Sequence, residues 1–135
     1  MINESQLQEQ VATYIRLQYK HAMFHSDFGS GIKLTCGQAV KQKRQNGGRR
    51  AWPDMFIAEP NDGKFGLFLE LKREGTRLKK KDGTWASPHI EEQAEVLERL
   101  EFRGYEAKFA VGFEEAKEII DNYLRRGGEC TDTSF

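Results

Sequence analysis

Cysteine and proline are scarce in this sequence, and long hydrophobic runs are absent from it. Among its 135 residues there are two cysteines and three prolines. Cys36 and Cys130 lie far apart, without the paired spacing of a zinc site or a disulfide framework, which favours a reducing compartment. No stretch is long and apolar enough to cross a bilayer, and the N-terminus lacks the basic and apolar segments of a secretory signal. We therefore expect a cytoplasmic protein with no membrane partner.

Net charge is also absent, so it gives no indication of a nucleic-acid partner. Lysine plus arginine balance aspartate plus glutamate at 21 each. The basic residues are nevertheless concentrated, whereas acids dominate 91–101 and 114–121. One basic segment holds Lys41, Lys43, Arg44, Arg49 and Arg50, and the other holds Lys72, Arg73, Arg77, Lys79, Lys80 and Lys81. Such local patches suit phosphate binding, and solvated loop faces are the alternative.

The length fits one compact domain, and the predicted elements are those of an α/β fold. A chain of 135 residues can bury one core but is short for two. We expect a single domain over residues 1–128 and a frayed tail over 129–135. Apolar spacing predicts helices over 3–20, 36–46, 89–103 and 113–126, and strands over 21–25, 54–58, 66–72 and 105–111. This order favours a mixed central β-sheet flanked by helices.

Two of these segments are joined by a short connection, and a third has little pattern. A Pro-Asn-Asp-Gly turn lies between the strands over 54–58 and 66–72, which predicts an antiparallel hairpin. Residues 74–88 carry three consecutive lysines and no apolar periodicity. We expect them to form a mobile basic loop.

Two charged residues interrupt the clearest strand. Glu70 and Lys72 flank Leu71, and strand alternation points both to one face, where charge is costly to bury unless it is paired or metal-bound. Asp54 begins the neighbouring strand, so a hairpin brings its carboxylate near Glu70. Paired carboxylates are hard ligands for the cation that phosphodiester hydrolysis needs. For the Glu-Leu-Lys triplet alone, a solvated ion pair at a strand end is the alternative.

The chain resembles a known nuclease family over about residues 4–124. Pro53-Asp54 followed by Glu70-Leu71-Lys72 resembles the PD-(D/E)XK signature, and within that superfamily the sequence looks like the virus-type replication-repair nuclease module, VRR-NUC, of the small phage or bacterial single-domain type. Further similar segments lie at 4–8, 47–52, 66–72, 89–93, 104–105 and 111–116. Ala51-Trp52 departs from the pattern, because members often have a glycine and a small residue there. The resemblance implies a PD-(D/E)XK restriction-endonuclease-like core.

The resemblance also implies a metal site. Asp54 and Glu70 would bind Mg²⁺ or Mn²⁺ together with the backbone carbonyl of Leu71. Glu4 is similar to an acid on the N-terminal helix that reaches the metal site, either directly or through a water molecule. A solvated helix cap is the alternative for Glu4.

Two further catalytic residues are implied by the same resemblance. Lys72 would orient or activate the attacking water, and its role as base or as positioner stays open. Gln93 matches a glutamine on the helix after the catalytic strand, where its amide can hydrogen-bond Lys72 or a phosphate oxygen. An exposed helical glutamine is the alternative.

The function implied is that of a metal-dependent, structure-specific DNA endonuclease similar to Holliday junction resolvases, acting on branched DNA as a homodimer in the bacterial cytoplasm. A non-catalytic nucleic-acid-binding module and a restriction-type duplex nuclease are the alternatives. Trp52 and Trp85 could stack on unpaired bases, pack in the core or anchor a loop. The candidate DNA-binding residues are Lys41, Arg44, Arg49, Arg50, Lys79, Lys80 and Lys81.

Overall fold

The computed structural model describes residues 2–27, 34–48 and 51–126. Within them the chain forms α1 (Glu4–Gln18), β1 (Phe24–Ser26), α2 (Cys36–Gln45), β2 (Met55–Ile57), β3 (Leu67–Lys72), α3 (Pro88–Phe102), β4 (Glu106–Val111) and α4 (Phe113–Leu124). This succession confirms the predicted order of helices and strands. β1 lies later than the strand expected over 21–25, because residues 20 and 21 form the turn that follows α1.

The strands form a mixed four-stranded sheet in the order β1-β2-β3-β4. β2 pairs antiparallel with both β1 and β3, whereas β3 and β4 are parallel. A parallel pair needs a long crossover connection, and α3 supplies it. The predicted β2–β3 hairpin and the mixed sheet flanked by helices are therefore confirmed.

One face of the sheet is packed against α1 and α4. Leu67, Leu69 and Leu71 of β3 are buried in this core. From α1 and α4 the core receives Leu7, Val11, Ile15, Ala116, Ile120 and Tyr123. Because side chains alternate along a strand, the residues between these leucines, Glu70 among them, point to the opposite face.

The opposite face is packed against α3 around a group of aromatic rings. Val96, Leu97 and Leu100 of α3 pack with Ala51 and Ala107. Beside them Phe56 stacks on Phe68 at a centroid distance of 4.3 Å, and Tyr105 meets Phe68 edge-on at 5.2 Å. Glu70 and Lys72 follow Phe68 on this face, so the apolar packing ends where the charged residues begin.

The basic segment after β3 is an ordered hairpin, and the expectation of a mobile loop over 74–88 is wrong. The Ala86 amide donates to the Leu78 carbonyl at 2.8 Å, and the Lys80 amide donates to the Thr84 carbonyl at 2.8 Å. The Trp85 ring lies 5.8 Å from the Phe109 ring of β4. These bonds and the aromatic contact hold the segment against the sheet without any apolar periodicity of its own. We call residues 78–86 the basic hairpin.

Some sequence-based expectations fall on residues that the structure does not describe. Arg49, Arg50, Cys130 and the tail over 129–135 lie outside the described residues. Cys36 is described and is an exposed free thiol. In the described part of the chain, none of the helices has the length and apolarity needed to span a membrane.

Candidate metal and active site

Asp54 immediately precedes β2 and lies opposite Glu70 of β3. The β2–β3 register pairs Phe56 with Phe68 and Met55 with Leu69, and its continuation by one position places Asp54 beside Glu70. Directly opposed residues of an antiparallel pair share a face. The structure therefore brings together the two carboxyl groups that the sequence singles out.

The backbone of Leu71 completes the hydrogen bonding of Asp54. Its amide donates to Oδ2 of Asp54 at 2.8 Å. The carbonyls of Gly66 and Lys72 accept bonds from the amides of Glu106, the first residue of β4, and Gly112, which follows its last. The even-numbered residues of this strand therefore turn their backbone groups towards β4. Those of Leu71 turn the other way, because the N–H and C=O of one strand residue point to the same edge. The Leu71 carbonyl consequently points to the side on which Asp54 lies.

Glu70 is held from the helix side by Gln93. Ser87 caps α3 and Pro88 occupies its first turn, which sets the register that puts Gln93 among the buried residues of that helix. Nε2 of Gln93 donates to Oε2 of Glu70 at 3.0 Å. The sequence suggested Lys72 or a phosphate oxygen as the partner of this amide. The structure shows Glu70 instead, because α3 packs over β3 and brings Gln93 next to this carboxylate.

The two carboxyl groups perturb each other strongly. Burial raises the pKa of Glu70 above its ordinary value and the charge of Asp54 raises it further, while Lys72 opposes this only in part. Burial also raises the pKa of Asp54, against the lowering effect of the hydrogen bond from the Leu71 amide. Two adjacent carboxylates, one buried and one half-buried, cannot both stay ionised without a compensating cation. The pair therefore holds a shared proton or a positive ion.

Unsatisfied oxygens at the pair fit a divalent cation. Glu70 is 4% exposed, and its Oε1 and the Oε1 of Gln93 are buried without a hydrogen-bond partner. Buried acceptors without donors are rare, and a bound ion is one explanation. Across residues 2–27, 34–48 and 51–126 no group of three or more His, Cys, Asp or Glu side chains has metal-binding geometry. A cation here would thus use the Asp54 and Glu70 carboxylates with backbone carbonyl, water or substrate oxygens.

The start of α1 approaches the carboxyl pair. Glu4 is the first residue of α1, capped by Asn3, and its charge contributes to the raised pKa of both Asp54 and Glu70. One turn later, the Nε2 of the buried Gln8 donates to the Asp27 carbonyl at 2.9 Å. Sequence reasoning missed this role of Gln8. A glutamine at an otherwise apolar helix position was the available signal.

Lys72 lies on the same strand face as Glu70 and is buried, with 6% of its surface exposed. Its charge lowers the pKa of both carboxyl groups, so the ammonium lies within electrostatic reach of the pair. No ion pair of 4.0 Å or less joins it to either carboxylate within the described residues. Its charge therefore acts on the two carboxyl groups across more than ion-pair distance.

The candidate DNA-binding residues fall on two separate elements. Lys41 and Arg44 lie on α2, which precedes the strand of Asp54, and Lys79, Lys80 and Lys81 lie on the basic hairpin, which follows the strand of Glu70. In the chain, one basic segment therefore comes before Asp54 and the other comes after Glu70. The structure does not bring these side chains into contact with the pair.

Each tryptophan has a structural partner. Trp52 is 38% exposed, its Nε1 donates to the Asn46 carbonyl at 2.9 Å, and its ring lies 6.3 Å from that of Phe68. Trp85 anchors the basic hairpin on Phe109, as one of the alternatives from the sequence held. Neither ring is part of the carboxyl pair.

Comparison with known proteins bears on the fold. No family model matches the sequence, and no curated protein matches it. A solved structure described as a "VRR_NUC domain protein" is similar, with a TM-score of 0.69 and 24% sequence identity over 93% of this chain and 91% of that chain. Nearly the full length of both chains shares one arrangement of helices and strands. The chain therefore has the fold of a VRR-NUC domain, as the resemblance in its sequence implied.

Proposed function

We propose that this protein is a metal-dependent nuclease that hydrolyses phosphodiester bonds in DNA. The observation that carries the proposal is the pair formed by half-buried Asp54 and buried Glu70, in which one oxygen of Glu70 has no hydrogen-bond partner and could serve as a cation ligand. Mg²⁺ and Mn²⁺ prefer such hard oxygen ligands. Asp54, Glu70 and the Leu71 carbonyl would hold the ion, and Glu4 would reach it through water.

Each residue of the site has a distinct part in the proposed reaction. A bound Mg²⁺ or Mn²⁺ supplies charge neutralisation at the scissile phosphate and lowers the pKa of an attacking water. Gln93 is a positioning residue, because its amide fixes the rotamer of Glu70. Lys72 contributes an ammonium with three donors on the same face as Glu70. Lys72 would orient or activate the attacking water.

DNA is the substrate that fits the surroundings of this site. The VRR-NUC fold supports a nuclease, and the basic residues of α2 and of the basic hairpin, which precede and follow the carboxyl pair in the chain, offer charge to a polyanion. Branched DNA of the four-way junction type is the proposed preference. A two-fold homodimer would place one site on each of the two related strands of such a junction.

Cleavage of defined DNA substrates tests the proposed function. Purified protein is incubated with labelled four-way junction, flap and linear duplex, each in chelator, Mg²⁺ and Mn²⁺. We expect cleavage with either metal, fastest on the junction, and no cleavage in chelator. The matched controls are Asp54→Asn and Glu70→Gln, which remove a charge at nearly constant volume and should bind DNA without cutting it. DNA binding without cleavage of any substrate by the parent protein would instead support the non-catalytic module, and equal cleavage of all three would contradict the junction preference.

A further inference from the structure

Helix α2 is formed by strong local signals but contributes nothing to the core. Thr35 caps it in a reciprocal capping box with Gln38, and Gly47 and Gly48 follow its end with positive φ angles. None of its residues is buried, and all except Gln42 are exposed. A ten-residue helix without packing is marginal in water. Among the described residues, no other element buries a face of α2.

The exposed surface of α2 is basic. Lys41, Lys43 and Arg44 are its charged residues, and it has no acid. At about 100° per residue the three cover an arc of about 160°, so they share one side of the helix. Lys43 and Arg44 lie in the last turn, where cations also interact favourably with the helix dipole. This side is suited to a polyanion.

Trp52 ties the basic end of α2 to the site. Its indole N–H donates to the Asn46 carbonyl, one residue beyond the helix, and its ring contacts Phe68. Trp52 precedes Asp54 by two residues, and Phe68 precedes Glu70 by two residues on the same strand face. The last turn of α2 is consequently next to the end of the sheet that carries the carboxyl pair.

We propose that α2 is a docking arm for duplex DNA, with Lys41, Lys43 and Arg44 contacting backbone phosphates beside the scissile bond. The inference rests on the proposed function for the choice of partner. A helix of this diameter fits at the edge of the major groove, and phosphate contacts position a protein without reading sequence. Because Trp52 connects the last turn of α2 to Phe68, two residues before Glu70, we expect one duplex to contact both the arm and the carboxyl pair.

Docking on a second copy of the chain is the competing occupant. Two α2 helices facing each other would bring like charges together, since no acid on the helix offsets them. The acidic outer side of α3, where Glu91, Glu92, Glu95 and Glu98 line a groove with Trp85, has the opposite charge. That face belongs to the crossover helix, whereas α2 is tied to the site by Trp52. Because the Trp52 contact holds α2 near the site where DNA would be cut, we favour DNA over a second copy as the partner of α2.

Salt-dependent DNA binding tests the arm independently of hydrolysis. The variant is Lys41→Gln/Lys43→Gln/Arg44→Gln, which keeps good helix formers and removes three positive charges. Its control, Arg16→Gln/Lys20→Gln/Arg103→Gln, removes three positive charges at exposed positions on other elements. Binding to a labelled duplex is measured in chelator over a range of salt. We expect the slope of log affinity against log salt to flatten by about 2 to 3 in the variant, at about 0.9 per lost phosphate contact, and little change in the control.

Equal slopes for variant and control would overturn the inference. So would an α2 variant that changes the sedimentation mass of the protein and leaves its DNA affinity unaltered, because that result assigns α2 to a second copy. A protein that binds as expected but cleaves nothing would refute the proposed function alone. Cleavage by a protein with an unchanged slope would refute the docking arm alone.

Hydrogen exchange of the unaltered protein gives a second readout. Amides of an unpacked helix open with little free-energy cost and exchange quickly. Addition of the duplex should slow exchange over residues 36–45 relative to the free protein. Unchanged exchange in this segment, at duplex concentrations that saturate binding, would contradict the inference even if the substituted variant failed to fold.

Discussion

Substitution of Lys72 is expected to separate metal and DNA binding from cleavage. Lys72 shares a face with Glu70 but offers no lone pair to a cation while protonated. We expect Lys72→Ala to retain metal binding and most of its DNA affinity, since many phosphate contacts share that affinity. Loss of a donor that stabilises transition-state charge should lower the single-turnover cleavage rate on the order of a hundredfold. Single-turnover rates in Mg²⁺, beside equilibrium binding in Ca²⁺, measure both quantities.

The matched control for this prediction is Lys108→Ala, which removes an exposed lysine from the neighbouring strand. It should cleave at the parental rate. If Lys72→Ala also cleaves at that rate, Lys72 does not belong to the catalytic set, and the site must be explained by the two carboxylates without it.

At the same scale, the sequence anticipated which residues meet but not every partner. Asp54 and Glu70 could be placed together because the hairpin register follows from two short strands and a turn. The bond from Gln93 to Glu70 could not, because it depends on how closely α3 crosses β3. Neither the amide nor the carboxylate carries a local signal of that distance. Gln8 is a similar case, since its acceptor lies 19 residues away.

Among the elements, the basic hairpin holds its three lysines in two different environments. Lys79 lies over the Trp85 ring, with its Nζ 4.6 Å from the ring centroid, whereas Lys80 and Lys81 lie at the exposed tip. We expect Lys80→Gln/Lys81→Gln to flatten the salt slope of DNA binding by about 2, at about 0.9 per phosphate contact. Lys79→Gln should change that slope less. Fluorescence anisotropy across a salt series measures it, and an unchanged slope in the double variant would assign the tip to solvent.

The turn into β3 depends on one glycine. A Cβ on Gly66 would lie 2.6 Å from Cε1 of Phe56 and 2.8 Å from the Ile57 carbonyl oxygen. A backbone carbonyl cannot move without breaking the sheet, so we expect Gly66→Ala to lower the free energy of unfolding by at least about 1–3 kcal/mol. Denaturant titration measures this loss.

Gly37 provides the control for that substitution. It lies in α2 and has open space around a built Cβ, so Gly37→Ala should be neutral or slightly stabilising through helix propensity. A Gly66→Ala protein as stable as the Gly37→Ala protein would contradict the close approach of β2 and β3.

The core helices and strands could be predicted from the sequence, whereas the regular structure of the basic hairpin could not. Apolar periodicity at 3.6 or 2 residues is a direct consequence of burial on one side, and the core helices and strands carry it. Residues 78–86 lack it because their order comes from the Trp85–Phe109 contact and from backbone bonds. α2 shows the reverse case: its capping signals are in the sequence, but no core contact could be inferred or found for it.

For the whole molecule, a bidentate ion pair closes the domain at the start of β4. Nη1 and Nη2 of Arg126 donate to the two oxygens of Glu106 at 2.6 and 3.0 Å. Nδ2 of Asn61 donates to the carbonyls of Tyr123 and Arg126 at 2.7 and 3.1 Å. These bonds join the end of α4 to β4 and to the β2–β3 turn. They therefore stabilise contacts between elements far apart in the chain.

This closure makes a prediction about pH. The bonds from Arg126 hold the pKa of Glu106 below its ordinary value of 4.5, so its stabilisation is present at neutral pH and is lost as the pH falls through the lowered pKa. Glu106→Gln should cost on the order of 1–3 kcal/mol at pH 7, as for hydrogen bonds to charged groups. Thermal unfolding at several pH values should show the gap between parent and variant narrowing below pH 4.5. A gap that widens in acid would contradict the assignment.

The net charge of the whole chain conceals how its charges are arranged. The sum of the charges is zero. Basic residues nevertheless lie on α2, before β2, and on the basic hairpin, after β3, whereas acids line the outer side of α3. The sequence showed this segregation along the chain. Which end of the sheet each segment occupies required the register of β2 and β3.

Calorimetric titration with Mn²⁺ measures directly whether Asp54 and Glu70 form a divalent-cation site. We expect the parent protein to bind the ion, and Asp54→Asn and Glu70→Gln each to lose detectable binding while keeping the fold, because each removes a charged oxygen ligand from a site with few. Glu106→Gln removes a carboxylate elsewhere and should bind as the parent does. An unchanged Mn²⁺ affinity in both Asp54→Asn and Glu70→Gln would show that these two carboxylates do not bind the ion.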